Sequence, residues 1–217
     1  MTFDDVMTRL TALSNRDLLA RNASNGAGSV PMGDLRTLAK AIKTDHALGL
    51  QLWATGDVDA RLVAILILKP KALGLDQVEA MVRSNDRLWV SDWLNSYVVK
   101  QHPGKETLRL KWARETHPFV ARAYWSLTAE RVTKSPEGLN LPALLDRLAA
   151  EMPGSDPVVQ WTMNNTLAAI GINFPDLRTR ALDLGEAMGI YRDYPTPKGC
   201  TSPFAPLWIE EMVKRAG

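Results

Sequence analysis

Helix starts recur along this chain at a fixed interval. His117-Pro118-Phe119-Val120 and Asp156-Pro157-Val158-Val159 lie 39 residues apart and share a cap–Pro–x–Val order. Proline suits the first turn of a helix, where the N–H it lacks has no intrahelical partner to lose. Asp57-Val58-Asp59-Ala60-Arg61 repeats the cap and the Ala-Arg step ahead of an apolar run. An interval near 40 residues is that of two-helix repeats of the HEAT type. Such a pair buries its apolar face only by stacking on its neighbours.

The rest of the chain agrees with this reading. Thr2-Phe3-Asp4-Asp5 has the form of a capping box, and helical periodicity runs from it to about Arg21. A Gly/Ser/Asn loop is expected over Asn22–Gly33. Helices are then expected over Asp34–Lys43, Asp45–Thr55, Val58–Leu68 (capped by Asp57), Asp76–Arg83, Asp86–Lys100, Lys105–Glu115, Pro118–Arg131, Leu141–Met152, Pro157–Ile172 and Pro175–Ile190, with a short one from Ala205. Nowhere does apolar/polar alternation flank a turn pair such as Asn25-Gly26, so no strand is expected. The predicted fold is all-α: a right-handed α-α superhelix, or solenoid, of HEAT-like pairs with a concave face. One domain is expected over 1–217, with the tail 194–206, which holds four prolines, packed on it.

Composition narrows the chemistry. A single cysteine, Cys200, allows no internal disulfide and no multi-cysteine metal site, which fits a reducing cytoplasm. Met1–Val6 has no basic region followed by an apolar core, so no signal peptide is expected. Val63–Leu68 stops at Lys69-Pro70, too short to span a bilayer. His46, His102 and His117 lack metal-ligand spacing, and Gly26-Ala27-Gly28 follows no strand, so it is no phosphate loop. A cytoplasmic monomer with neither metal nor organic cofactor is expected. Charge is uneven. Residues 1–99 carry 11 basic and 11 acidic side chains, residues 100–134 carry eight and three, and residues 135–217 carry seven and ten. A basic middle band suits a polyanion such as nucleic acid, or belongs to solvated helix faces.

The strongest chemical signal is a carboxylate among aromatic residues, Trp89-Val90-Ser91-Asp92-Trp93. Trp89, Asp92 and Trp93 fall near one stripe of a helix. An aspartate there needs a partner. One reading is a buried structural pair with an arginine. The other is an anionic site between aromatic walls that stabilises a cationic substrate or transition state. Trp53, Trp112 and Trp125 are expected in the core, and Gly49, Gly171 and Gly185 at close helix contacts. Asn164 and Asn165 line a cleft or face solvent. Arg36 and Lys40, one turn apart, touch phosphates or face water. Cys200 is expected to be a structural tail residue.

Several stretches in order resemble the DNA alkylation repair family, the AlkD-type HEAT-like repeat DNA glycosylases. They are Pro31–Lys40, Leu52–Gly56, Ala60–Ala64, Trp89–Asp92 and Lys198–Pro206, and the likeness covers about Asn22 to Trp208. The resemblance implies a stack of helix pairs that holds alkylated double-stranded DNA and hydrolyses the N-glycosidic bond of N3- or N7-alkylated purines. The alkylated base is already cationic, so its bond is weak. A carboxylate near the sugar then has to stabilise oxocarbenium-like charge and orient water. Carried over, Asp92 falls at the catalytic aspartate. Trp89 falls near the first active-site tryptophan, at a spacing of three where the family has four. Arg122 falls at the cleft arginine, facing Asp92 or a phosphate. The second active-site tryptophan aligns with Asn165, which has no aromatic face; Trp161 lies one turn earlier as a substitute. Trp93, Asn165, Trp161, Arg36, Lys40 and Arg61 are taken as cleft-lining or DNA-contacting residues. The other classes this sequence admits are a catalytically inactive DNA-binding or scaffold solenoid of the same family, and a protein-binding solenoid indifferent to DNA.

Overall fold

Two helices of this chain are apolar around most of their circumference, Val58–Ile67 and Pro157–Asn173. Such a helix has no face to offer water and must be covered by others. In the computed structural model, which describes residues 1–22 and 26–216, each lies at the centre of a compact unit. The units are Met1–Leu108 and Arg109–Gly217. Among the described residues there are thirteen α-helices and no strand.

The first unit contains α1 (Phe3–Leu13), α2 (Arg16–Asn22), α3 (Met32–Ile42), α4 (His46–Ala54), α5 (Val58–Ile67), α6 (Leu75–Arg83) and α7 (Leu88–Leu94); the boundary falls inside α8 (Lys105–Lys111). Helix α5 is covered by α1, α3, α4 and α7, and its Ala60, Leu62, Val63, Ala64 and Ile67 are fully buried. Gly49 of α4 permits the close approach expected of it, since a Cβ there would come 2.9 Å from a methyl of Leu68.

One charged residue of α5 is buried too. Asp59 accepts hydrogen bonds from the Ser29 N–H (2.8 Å), the Ser29 hydroxyl (2.9 Å) and the Val30 N–H (3.3 Å). Three donors compensate a carboxylate that burial alone would penalise. The residues that follow Gly26-Ala27-Gly28, Ser29 and Val30, thus bind the protein's own carboxylate. A Cβ at Gly28 would sit 1.9 Å from Asp59 Oδ1, so only glycine fits. Of the loop expected over 22–33, residues 23–25 lie outside the described residues.

The second unit contains α9 (Pro118–Lys134), α10 (Leu141–Glu151), α11 (Pro157–Asn173), α12 (Pro175–Met188) and α13 (Ala205–Ala216). Helix α11 is covered by α9, α10, α12 and α13. The 39-residue recurrence proves to be the starts of α9 and α11, each 17 residues long and each with proline in its first turn. The two are joined by a buried bond from the Thr166 hydroxyl to the Trp125 carbonyl (3.1 Å). Asp156 caps α11 through the Val158 N–H (2.8 Å), whereas His117 makes no side-chain cap. Trp112 and Trp125 are buried here, as Trp53 is in the first unit.

Several helix bounds depart from expectation: α8 ends at Lys111 rather than Glu115 and α3 starts at Met32 rather than Asp34, and two further departures have a visible cause. The run from Phe3 breaks at Ser14-Asn15, because Asn15 caps a new helix through the Leu18 N–H (2.9 Å). Periodicity alone passes over such a cap. Helix α7 begins at Leu88 rather than Asp86. Asn85 folds the preceding turn by bonding both the N–H and the carbonyl of Arg87. After Leu94 the helix widens into a π turn over Asn95–Val99, with Lys100 N–H bonded to the Asn95 carbonyl (2.9 Å).

Asp59→Ala is expected to cost about 3 kcal/mol, since it leaves buried donors without their charged acceptor. Gly28→Ala should destabilise by the same route. Thermal unfolding of both variants checks this, as a fall of several degrees in midpoint.

Candidate nucleic-acid interface

Each unit carries part of the residue set singled out in the sequence. In the first unit, α7 packs on α5 through Val90, Trp93 and Leu94, all buried. That choice of inner face decides where the aspartate goes. Successive helical residues are about 100° apart, so Asp92 and Trp93 fall on opposite flanks of Trp89. Asp92 is therefore exposed, Trp89 is 36% exposed and Trp93 only 7%. The three do not share one environment. Trp93 is a core residue, and Asp92 is not buried as the structural-pair reading expected: burial would have required α7 to turn its other flank inward.

Basic groups border this surface. The Arg36 guanidinium of α3 lies 5.0 Å from the Trp93 ring centroid, and Tyr97, 41% exposed, sits 5.5 Å from the same ring. Arg36, Lys40 and Lys43 are exposed along one side of α3, at spacings of four and three. Lys43 was not singled out in the sequence; it closes α3 with φ of 64°, a conformation rarely adopted by a lysine. Arg61 is otherwise engaged. Its guanidinium lies 4.7 Å over the Trp53 ring and donates to the Trp53 and Ser84 carbonyls (both 3.3 Å). The π turn at Asn95–Val99 follows directly on this face, an irregularity often found at functional positions.

In the second unit, Arg122 of α9 is buried, and its Nη1 donates to the Val158 carbonyl in the first turn of α11 (2.6 Å). Trp161 of α11 is half-buried in a cluster of rings: Tyr191 at 5.4 Å, Tyr194 at 5.8 Å, and those two 5.8 Å apart and nearly perpendicular. Such edge-to-face sets are favourable beyond the area they bury. Burial pushes the Tyr191 phenol above its ordinary pKa, while the charge of Arg122 pulls it the other way. Tyr191 adopts φ of 66°, a left-handed conformation that a bulky residue takes only when its surroundings impose it. Neither tyrosine carried a sequence signal apart from its closeness to the prolines of the tail.

The two asparagines of α11 separate. Asn164 is buried and its side-chain amide donates to the Pro203 carbonyl (2.8 Å), fastening the tail; it lines no cleft and faces no solvent. Asn165 is half-buried, one turn from Trp161, and its side chain makes no hydrogen bond among the described residues. Among the described residues no three His, Cys, Asp or Glu side chains form a metal-binding group, and no helix is long and apolar enough to cross a membrane.

A family model described as DNA alkylation repair enzyme matches residues 6–205, across both units. A solved structure, described as a new family of proteins related to the HEAT-like repeat DNA glycosylases with affinity for branched DNA structures, superposes with a TM-score of 0.80 at 22% identity. The match covers 100% of this chain and 95% of that one. The all-α HEAT-like fold expected from the sequence is thus the fold of the chain. No curated protein matches it.

The inside and outside flanks of α7 make a direct contrast. Asp92→Asn is expected to change stability by no more than about 0.5 kcal/mol. Trp93→Ala should cost about 3–5 kcal/mol. Chemical denaturation of the two variants reads the difference.

Proposed function

The chain belongs to the DNA alkylation repair enzyme family, and from that premise we propose that it binds damaged duplex DNA and hydrolyses the N-glycosidic bond of N3- or N7-alkylated purines. The observation that carries the proposal is the exposed Asp92 carboxylate on the same helix as the exposed Trp89 indole, in a unit whose helix α3 presents the exposed Arg36 and Lys40. An alkylated purine leaves readily, so the protein has to supply little beyond charge stabilisation and a directed water. In this reading Asp92 faces the sugar as it becomes cationic and orients the attacking water. Trp89 offers an aromatic face to the same cation. Arg36 and Lys40 contact phosphates, which positions the duplex without reading its sequence. Arg122 acts from within the fold, by fixing the first turn of α11.

A second reading is favoured by a specific residue. Asn165 stands where the family resemblance puts a second aromatic wall, and the protein of the solved structure is described as having affinity for branched DNA structures. That combination supports a solenoid that keeps DNA binding and has lost base excision.

Two measurements separate the readings. Incubation with duplex DNA bearing 7-methylguanine or 3-methyladenine should release free base, and Asp92→Asn should abolish that release while leaving DNA affinity in place. No release by the unaltered protein, with DNA binding retained, selects the second reading. Under both, affinity should fall steeply with salt, and Arg36→Ala or Lys40→Ala should each reduce the slope of log affinity against log salt by about one.

A further inference from the structure

The tail that fastens to α11 encloses a cavity that the proposed chemistry leaves unused. It has a volume of about 310 Å³, at the lower end of the roughly 300–1,000 Å³ typical of small-molecule sites. Its walls are the rings of Trp161, Tyr194 and Trp208, with Pro197 and Pro203 between them. Cys200, the chain's single cysteine, is exposed and lies on the same wall. The walls are held in place on every side. Asn164 binds the Pro203 carbonyl, Tyr191 packs edge-on and Tyr194 at a tilt against Trp161, and the turn at Pro197 is closed by the Cys200 N–H (3.0 Å).

We propose that this cavity holds one unpaired nucleobase of branched DNA, stacked on the aromatic walls. The inference rests on the DNA-binding reading above and adds a site to it. Three considerations favour a base over other occupants. Three aromatic rings line the cavity, and aromatic side chains are the usual stacking partners of a planar base. The hydroxyls of Thr201 and Ser202 also line the cavity and meet the polar edge that a base carries. Lys198 stands exposed in the turn between Pro197 and Cys200, where a phosphate of the same nucleotide would lie. Asp193, exposed and next to Tyr194, offsets that charge locally. Stacking rather than a net field therefore holds the occupant, and every base has a π face to offer. Branched DNA that carries a flap or a few unpaired nucleotides at its branch supplies such bases without the energy of unpairing, because those nucleotides face no complementary strand.

The test uses three DNAs of one branched design: fully paired, with a few unpaired nucleotides at the branch, and with those nucleotides made abasic. Fluorescence anisotropy should give about tenfold tighter binding of the second than of the first or third, within the range that one stacked base provides. Tyr194→Ala, at a residue 46% exposed and with its fold checked by circular dichroism and thermal unfolding, should remove that preference and leave affinity for the fully paired DNA unchanged. Tyr194→Phe, which keeps the ring, should retain the preference. Modification of Cys200 by a thiol reagent should slow in the presence of the second DNA alone. Equal affinity of the unaltered protein for all three DNAs, or an undiminished preference in Tyr194→Ala, overturns the inference and leaves DNA binding standing. Binding to none of the three overturns both. Protection of Cys200 by a proline-rich peptide and by none of the DNAs assigns the cavity to a protein partner and overturns the inference as well.

Discussion

Everything in this structure is arranged around helices that cannot meet water. Helix α5 has Ala60, Leu62, Val63, Ala64 and Ile67 fully buried, and α11 buries most of its length. Each buried Leu, Ile, Val or Met side chain contributes about 1.5–3 kcal/mol, so leaving either helix bare would cost an amount comparable to a domain's whole net stability. The covering helices are therefore obligatory. Their amphipathic faces are set by what they cover, and their outer faces are what remains for function. Helix α7 shows the consequence most clearly. Because Val90, Trp93 and Leu94 must face α5, Trp89 and Asp92 are left outside.

The same logic explains the polar groups found inside. Asp59, Asn164 and Thr166 are buried, and each ties a less regular segment or a second helix to a central one: the 28–30 loop, the proline-rich tail and α9. Apolar packing has no direction, whereas a buried hydrogen bond fails unless its partner is in one place. These three residues specify position where hydrophobic burial alone would allow slippage. Asn164 is a case where one polar side chain decides the form of a whole cavity wall, since it holds the carbonyl of Pro203.

Much of this was legible in the chain, and the limits were physical. Helix starts were readable wherever a cap preceded an apolar run, as at Thr2, Asp57 and Asp156, because capping is a local event. The break at Ser14-Asn15 escaped because both halves keep one periodicity across it. Tryptophans expected in the core lie there, and Gly49, Gly171 and Gly185 do sit at close contacts. The fate of Asp92 was not readable. Helical spacing says which residues are neighbours on a helix; it does not say which side the rest of the protein covers. Arg61 shows the same limit, since its engagement with the Trp53 ring and the Ser84 carbonyl depends on residues far along the sequence. Tyr191 and Tyr194 were missed because the proline-rich stretch beside them has no period to read, yet their rings complete the cluster on Trp161.

The position of Trp161 bears on what kind of protein this became. In the family resemblance, an aromatic wall is needed one turn later, where the chain has Asn165. A replacement from Trp161 would need its ring free to turn toward a sugar. Instead the ring is packed edge-on by Tyr191 and at a tilt by Tyr194, the former in a strained left-handed conformation that the cluster must sustain. Strain of that kind persists only where other contacts hold it, so the indole stays where the tail places it. On the proposed reading Trp161 serves the cavity beside the tail, and base excision would rely on Trp89 as its aromatic face. That places the whole burden of charge stabilisation on one exposed carboxylate and one exposed ring, an arrangement adequate only for a leaving group that departs almost unaided, as a cationic alkylated purine does.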